Sequence, residues 1–389
     1  MPIAKAIAQQ LENSSWVRRM FEEGARLRKE RGADAVFDFS LGNPDVEPPQ
    51  VVIDALKRVA AANRAGSHGY MPNPGYPEVR AALAQKLKRE TGQPYTGDDI
   101  VMTVGAAGAL NVILKALLDP GDEVIVLNPF FPEYEFYIGN HRGTMVRVET
   151  GEDFLPDVER IAAAITPRTR AILLNTPNNP TGRIYPESVL RELDAMLKRQ
   201  DHEIIVLSDE PYKAFVFDGQ KQTEVSSCIS TTAICNSWSK SLGLPGERIG
   251  YLALSPHLRD LDELRKACTF ANRTLGFVNA PAIWQWVLMD SMNATIDPAP
   301  YEHKRNVLCD SLKKIGYDVR PPQGSFYVFQ KTPIADDIAF CAALAKEGVL
   351  GVPGTGFGRS GYMRLSLTIP LERIEKSAGG FERAFHAVV

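Results

Sequence analysis

RAILLNTPNNPTGRIYPESVLRELDAMLKRQDHEIIVLSDEPY, residues 170–212, sets two short apolar runs, RAILLNTP (170–177) and EIIVLSDE (203–210), on either side of SVLRELDAMLKR (188–199). In the middle segment Leu190, Leu193 and Leu197 recur at helical spacing and make one apolar stripe. The flanking runs are apolar without alternation, as strands covered on both faces are. The stretch therefore predicts strand, helix, strand. Working outward, IVMTV (100–104) and EVIVLN (123–128) precede it, and TAICNSW (232–238) and RIGYLALS (248–255) follow. Apolar strands separated by helices predict an α/β fold with a mostly parallel sheet between helical layers.

The rest of the chain reads differently. Residues 3–31 are polar and helical in pattern, and SLGNPDVEPPQ (40–50) is rich in turn formers, which suggests an arm leading into a domain. Beyond about residue 290 helices dominate, with GSFYVFQK (324–331) and YMRLSLTI (362–369) as strands of a smaller α+β lobe. The expected division is 1–44 for an arm and part of the small domain, 45–285 for the large domain and 286–389 for the small one.

Composition excludes several classes. The 389 residues are 44 % hydrophobic with a net charge of −3, so a large core is available but no basic stripe for nucleic acid and no polybasic arm for lipid. Five scattered cysteines lack CxxC spacing, and the six histidines form no pair at ligand spacing, so no metal site is expected. No apolar run approaches a membrane span and the N-terminus lacks a signal-peptide core, which predicts a cytoplasmic protein with reduced thiols. GFGRSG (356–361) matches GxGxxG, yet a strand follows it where a dinucleotide site needs a helix, so it reads as a turn. The tryptophans of IWQWVL (283–288) read as packing between helices.

In parallel sheets ligands bind at the carboxyl ends of the strands. Those ends carry GAAGAL, NPFFPEY, NTPNNPTG, SDEPY and NSWSK. Each alone is a plausible turn; together they suggest a site. GAAGAL opens a helix straight after a strand, so the free amides at Ala106 and Ala107 form an anion cup at the positive end of the helix dipole. Ser237 and Ser239 add hydroxyls, and Arg248 adds a planar fork suited to phosphate, its competing role being an ion pair with Glu247. Lys240, beside that arginine and away from carboxylates, is expected to favour its neutral amine, which condenses with aldehydes. A phosphate-bearing aldehyde describes pyridoxal 5′-phosphate; Asp209 would then hold the proton on its ring nitrogen, and Tyr212 would donate to its phenolic oxygen.

NPTG (179–182), SDEPY (208–212), SWSK (237–240), Arg248 followed by IGY, and MRLSL (363–367) together resemble the class I/II aminotransferases, fold type I pyridoxal-phosphate enzymes of the aspartate aminotransferase type, from SLGNP at 40 to near the C-terminus. The resemblance implies a large domain with a seven-stranded, mostly parallel sheet covered by helices, and a smaller α+β domain. It implies that Lys240 is the Schiff-base lysine and proton shuttle and Asp209 the pyridinium partner. Tyr212 and Asn179 would be donors to the phenolic oxygen and Phe131 the stacking ring. It further implies that Arg364 clamps the substrate α-carboxylate under the backbone of Gly42. Tyr70 would reach the phosphate across a homodimer interface. Two departures stand out: Gly105, Ala106 and Ala107 offer no hydroxyl where relatives often carry serine or threonine, and Phe131 replaces a tryptophan or tyrosine.

The implied reaction is transfer of an amino group between an L-α-amino acid and a 2-oxo acid, with 2-oxoglutarate as acceptor, in ping-pong order. Arg273 in FANRTLGFVNAP is the candidate for a distal carboxylate, its alternative being a surface salt bridge. Three other readings stay open: a same-fold elimination enzyme such as a carbon–sulfur lyase or a cyclopropane-carboxylate synthase, a transcription regulator with an aminotransferase-like domain, and a cofactor-free nucleotide-binding α/β protein. The regulator is the less expected reading, because such proteins carry a DNA-binding domain ahead of this one and the sequence starts too close to SLGNP for it.

Overall fold

A computed structural model describes residues 3–12 and 16–389. Its strands, in chain order, are β1 (Phe37–Asp38), β2 (Ile100–Thr103), β3 (Glu123–Asn128), β4 (Thr144–Glu149), β5 (Thr169–Asn175), β6 (Ile205–Asp209), β7 (Thr232–Ser237), β8 (Gly250–Leu254), β9 (Tyr327–Lys331), β10 (Val349–Leu350), β11 (Val352–Pro353) and β12 (Tyr362–Ser366). Seven of them form one sheet in the order β2-β8-β7-β6-β5-β3-β4. Pairing is parallel from β7 to β4 and antiparallel on both sides of β8.

Alternate residues of these strands go to opposite faces, and both faces are dry. Val124, Val126, Ala171, Leu173 and Leu207 pack with Ala109, Leu110 and Ile113 of helix Gly105–Leu117. On the reverse face Ile125, Leu127, Ile172, Leu174 and Val206 pack with Leu190, Leu193 and Met196 of helix Glu187–Leu197. This double covering is why the strands lack a polar alternation. The leucine stripe read from residues 188–199 is the buried face of that helix, which Pro186 precedes.

Strand β4 escaped the sequence reading. It is one edge of the sheet, β2 being the other, with Thr144, Arg147 and Glu149 exposed, and so lacks the unbroken apolar run of the other strands. The polar N-terminal segment forms helices Lys5–Glu12 and Trp16–Arg31, residues 13–15 between them lying outside the described part. Leu27 of the second helix packs with Val36, Ala345 and Leu350, and β1 pairs in parallel with β10. The chain before Pro44 thus joins the lobe built on the β11-β12-β9 sheet. A boundary after residue 285 falls inside helix Ala282–Ser291, whose Val287 and Leu288 pack with Ile100, Met102 and Tyr251 of the large sheet. That boundary is corrected: the helix stays with the large-sheet core because its apolar face has its partners there.

GFGRSG ends a short 3-10 turn, Gly354–Phe357, and leads into β12, as read from its context. All five cysteines are buried and free. Among the described residues no His, Cys, Asp and Glu group is arranged for a metal, and no helix is long and apolar enough to cross a membrane.

Candidate active site

Strands β5, β6 and β7 run in register so that Asn175 lies beside Asp209, and Asp209 beside Cys235, at one edge of the sheet. Ser237 ends β7 and the four-residue helix Trp238–Ser241 carries Lys240. The loop after β3 brings Phe131 to the same edge, and the turn after β2 brings Ala106 and Ala107. From the smaller lobe come Gly42, Tyr327 at the start of β9, and Arg364 of β12. Together they line one cavity of about 670 Å³. Its position at the carboxyl ends of parallel strands is the one expected for this sheet type.

Lys240 lies on the cavity wall, its Nζ donating to the carbonyl of Gly42 at 2.9 Å. Burial, then the positive charges of Arg248 and Arg364, push its pKa down to about 8. Sequence reasoning credited the neighbouring arginine; the larger cause is desolvation, which disfavours the charged amine. Gly42 is needed where it stands, because a Cβ there would sit 1.8 Å from Tyr327 Oη. Gly42→Ala is expected to displace Tyr327 and the carbonyl that holds Lys240, lowering stability by about 1–3 kcal/mol in denaturant unfolding; a variant of unchanged midpoint would show that the loop simply moves aside.

Asp209 is 5 % exposed. Tyr134 Oη donates to its Oδ2 at 2.5 Å, while Oδ1 has no hydrogen-bond partner among the described residues. Burial, only partly offset by Tyr134, pushes the carboxyl up to about 7. A buried carboxylate with one oxygen unanswered is costly unless a donor, best a cationic one, arrives. Asn175 Nδ2 donates to the Asp209 carbonyl, and Asn175 Oδ1 accepts from the amide of Asn179, so one asparagine fixes both neighbours.

Arg364, 2 % exposed, donates through Nη1 to Asn179 Oδ1 at 3.2 Å and through Nη2 to the Ser40 carbonyl at 2.8 Å. Its Nε is buried without a partner, and the guanidinium lies 4.2 Å from the Tyr327 ring centre and 4.8 Å from that of Phe357. Among the described residues it has no carboxylate partner, the state of an arginine awaiting a planar anion. Tyr212 Oη lies 3.4 Å from Tyr327 Oη.

Helix Gly105–Leu117 begins without a side-chain cap, so its first amides and the positive end of its dipole open toward the cavity at Ala106 and Ala107. Gly105 has φ +82°, and a Cβ there would stand 2.9 Å from Arg248 Nη2. Arg248 donates to the carbonyls of Pro245 and Val104, which aims it along this cradle and leaves Glu247 out of its contacts. Ser237 and Ser239 are buried and line the same cavity.

Most of the expected site is therefore assembled within one chain; Gly105 opens the helix of the amide cradle but is not itself in the cavity wall, and two further residues lie elsewhere. Tyr70 is 95 % exposed and does not line the cavity. Arg273 ends helix Leu261–Thr274 and lines a separate groove with Arg80, Asp98 and Arg265, its guanidinium 5.2 Å from the Phe270 ring centre. Sequence reasoning missed Tyr134, Asn175 and Tyr327. The first stands three residues after Phe131 in NPFFPEY and the second opens NTPNNPTG, so position at a strand end was their signal; nothing local marked Tyr327.

These donors fit a phosphorylated aromatic aldehyde with a basic ring nitrogen: an amine of depressed pKa, an unanswered buried carboxyl oxygen, and a phosphate-sized cup of amides, hydroxyls and a guanidinium. The comparisons with known proteins agree. Residues 34–380 match the family described as aminotransferase class I and II. The chain is 35 % identical over 367 residues to the aspartate/prephenate aminotransferase of Thermus thermophilus, covering 91 % of this chain and 92 % of that protein. It superposes on an amino transferase from Eubacterium rectale with TM-score 0.96 at 35 % identity, over 100 % of this chain and 99 % of the other. With an aspartate aminotransferase of Thermus thermophilus solved with maleate, the TM-score is 0.86 at 30 % identity, over 99 % and 100 % of the chains. With cavity, fold and relatives in agreement, the chain belongs to the class I and II aminotransferases and is a pyridoxal-phosphate-dependent transaminase of fold type I.

Proposed function

We propose that this enzyme moves an amino group from an L-α-amino acid to a 2-oxo acid in two half-reactions, with 2-oxoglutarate as an acceptor and Lys240 as the group that binds the cofactor and carries the proton. The observation behind this reading is the convergence, in one cavity, of a buried lysine of lowered pKa, a buried carboxyl with a free oxygen and an arginine with no carboxylate partner. Pyridoxal 5′-phosphate supplies, when bound, an aldehyde carbon for an amine and an electron-withdrawing ring for the bonds at the substrate Cα.

In this reading Lys240 would offer its neutral amine to the aldehyde carbon and would move the proton at the substrate Cα. Asp209, held by Tyr134, keeps a proton on the ring nitrogen. Tyr212 and Asn179 donate to the phenolic oxygen, and Phe131 covers the ring. The amides from Gly105 to Ala107, with Ser237, Ser239 and Arg248, take the phosphate, and Arg364 clamps the α-carboxylate beneath Gly42. Tyr70 reaches the phosphate from a second copy of the chain in a homodimer, which accords with its exposure here. Arg273 enters a site only from such a copy. A cytoplasmic location is part of the same reading, as is a large domain opening near residue 45.

The test is a single-turnover experiment. Holoenzyme mixed with an amino acid and no acceptor should show one shift of its visible band with about one equivalent of 2-oxo acid released per site, and 2-oxoglutarate should restore the band. Continuous release of ammonia without an acceptor would mark an elimination enzyme and sink the proposal.

A further inference from the structure

Helix Glu133–Asn140 begins two residues past Phe131, and two of its polar side chains, Glu133 and Tyr137, one turn apart, line the cavity that contains Lys240. Glu133 is half-buried. Among the described residues it makes no hydrogen bond or ion pair, and burial raises its pKa. Acids placed at the start of a helix usually answer free amides. This one faces substrate space instead.

The cations of this cavity wall are Lys240, Arg248 and Arg364, and under the reading above each has a task at the cofactor or the α-carboxylate. The other acid in the wall, Asp209, is tied to Tyr134. What the wall still offers a substrate side chain, within one chain, includes Leu41, Pro132 and Tyr137 with the unanswered carboxyl of Glu133. We propose that Glu133 sets the side-chain selectivity of this site, penalising substrates with a second, distal carboxylate relative to those with neutral or aromatic side chains. The inference rests on the transaminase reading and adds a substrate class to it. The same penalty falls on a dicarboxylic acceptor such as 2-oxoglutarate.

The physical basis is one like-charge repulsion across a partly solvated cavity, in whose wall no cation of the same chain is left over for the distal group. It acts only when Glu133 is ionised. The titratable and charged groups around it are Tyr134 and Tyr137 on its own helix and, from the other elements of the cavity, Asp209, Tyr212, Tyr327, Lys240, Arg248 and Arg364. As pH falls Glu133 gains a proton, the repulsion fades, and the protonated carboxyl becomes a donor for a distal carboxylate. Selectivity against dicarboxylates is therefore strongest at high pH.

The decisive comparison uses wild-type and Glu133→Gln holoenzyme. The ratio of kcat/KM for aspartate to that for phenylalanine should rise about tenfold in the variant, the size of one such repulsion. Titrating the visible band with maleate and with propionate, which bind without turnover, should show the same relative gain for maleate. Glu133→Lys should raise both ratios further. In the wild type the aspartate ratio should climb as pH falls, and in Glu133→Gln it should lose that climb. Turnover with both ratios unchanged in the variants overturns the role of Glu133 alone. A wild-type enzyme that converts no amino acid overturns the transaminase reading, and this inference with it.

Discussion

Lys240→Ala should lower transamination by more than about 10⁴-fold, because under the proposed function it removes both the proton carrier and the amine that anchors the cofactor. The size of the effect follows from where the lysine stands. Its Nζ is held by the Gly42 carbonyl, no carboxylate among the described residues pairs with it, and burial with two nearby arginines brings its pKa to about 8. A neutral fraction is thus present near pH 7, which an exposed lysine would lack. The cofactor-free wild-type chain should take up pyridoxal phosphate at a rate that rises through about pH 8 and then levels, since only the neutral amine attacks an aldehyde. In Lys240→Ala the cofactor should be held by the phosphate cup alone and wash out on dialysis. Addition of a small primary amine should return part of the rate, as the rest of the cavity is intact. Retention of full activity in the variant would place the proton transfer elsewhere.

How much of this was legible in the sequence follows from the kind of signal each part leaves. Six of the seven strands were readable because burial on both faces forces unbroken apolar runs, the edge strand β2 included, and β4 was not because half of its residues face solvent. Lys240, Asp209 and Arg248 were readable because strand ends are where such a sheet places chemistry, so their location carried information beyond their type. The boundary near residue 285 misled because helix Ala282–Ser291 resembles the helices that follow it; only packing against Ile100 and Tyr251 assigns it to the large core.

Cause was harder to read than place. Neighbours in sequence pointed to Arg248 as the group that depresses Lys240, whereas the enclosing walls, drawn from Gly42, Tyr327 and Arg364 far along the chain, do more. Tyr327 left no local mark because its role depends on a close approach to Gly42, some 285 residues earlier in the sequence. Glu133 was overlooked within a motif already quoted, since an acid at the start of a helix is the commonest of surface features. Its lack of a hydrogen-bond or ion-pair partner among the described residues, visible only in three dimensions, is what gives it meaning.

Asp209→Asn is the second large effect, and it separates two consequences of one buried carboxyl. In the cofactor-free chain burial holds the Asp209 pKa up at about 7, far above the ordinary aspartate value of 3.8. Between those two values the folded chain binds a proton that the unfolded chain has released. Stability therefore falls as pH rises through that window and stays reduced above it. Asparagine carries no charge to desolvate, so the variant's cofactor-free form should lose this pH dependence and be the more stable of the two at pH 8, with Tyr134 still able to donate to the amide oxygen. Function should move the other way. A neutral amide cannot keep a proton on the ring nitrogen, so kcat/KM should drop by about 10²–10³-fold, the usual cost of removing one preorganised electrostatic partner. Denaturant unfolding of both cofactor-free proteins at pH 5 and pH 8, beside steady-state rates of the loaded enzymes, reads both effects. A variant that loses stability and activity together at pH 8 would mean that Asp209 serves the fold, whereas gain of one with loss of the other identifies a charge kept buried for chemistry.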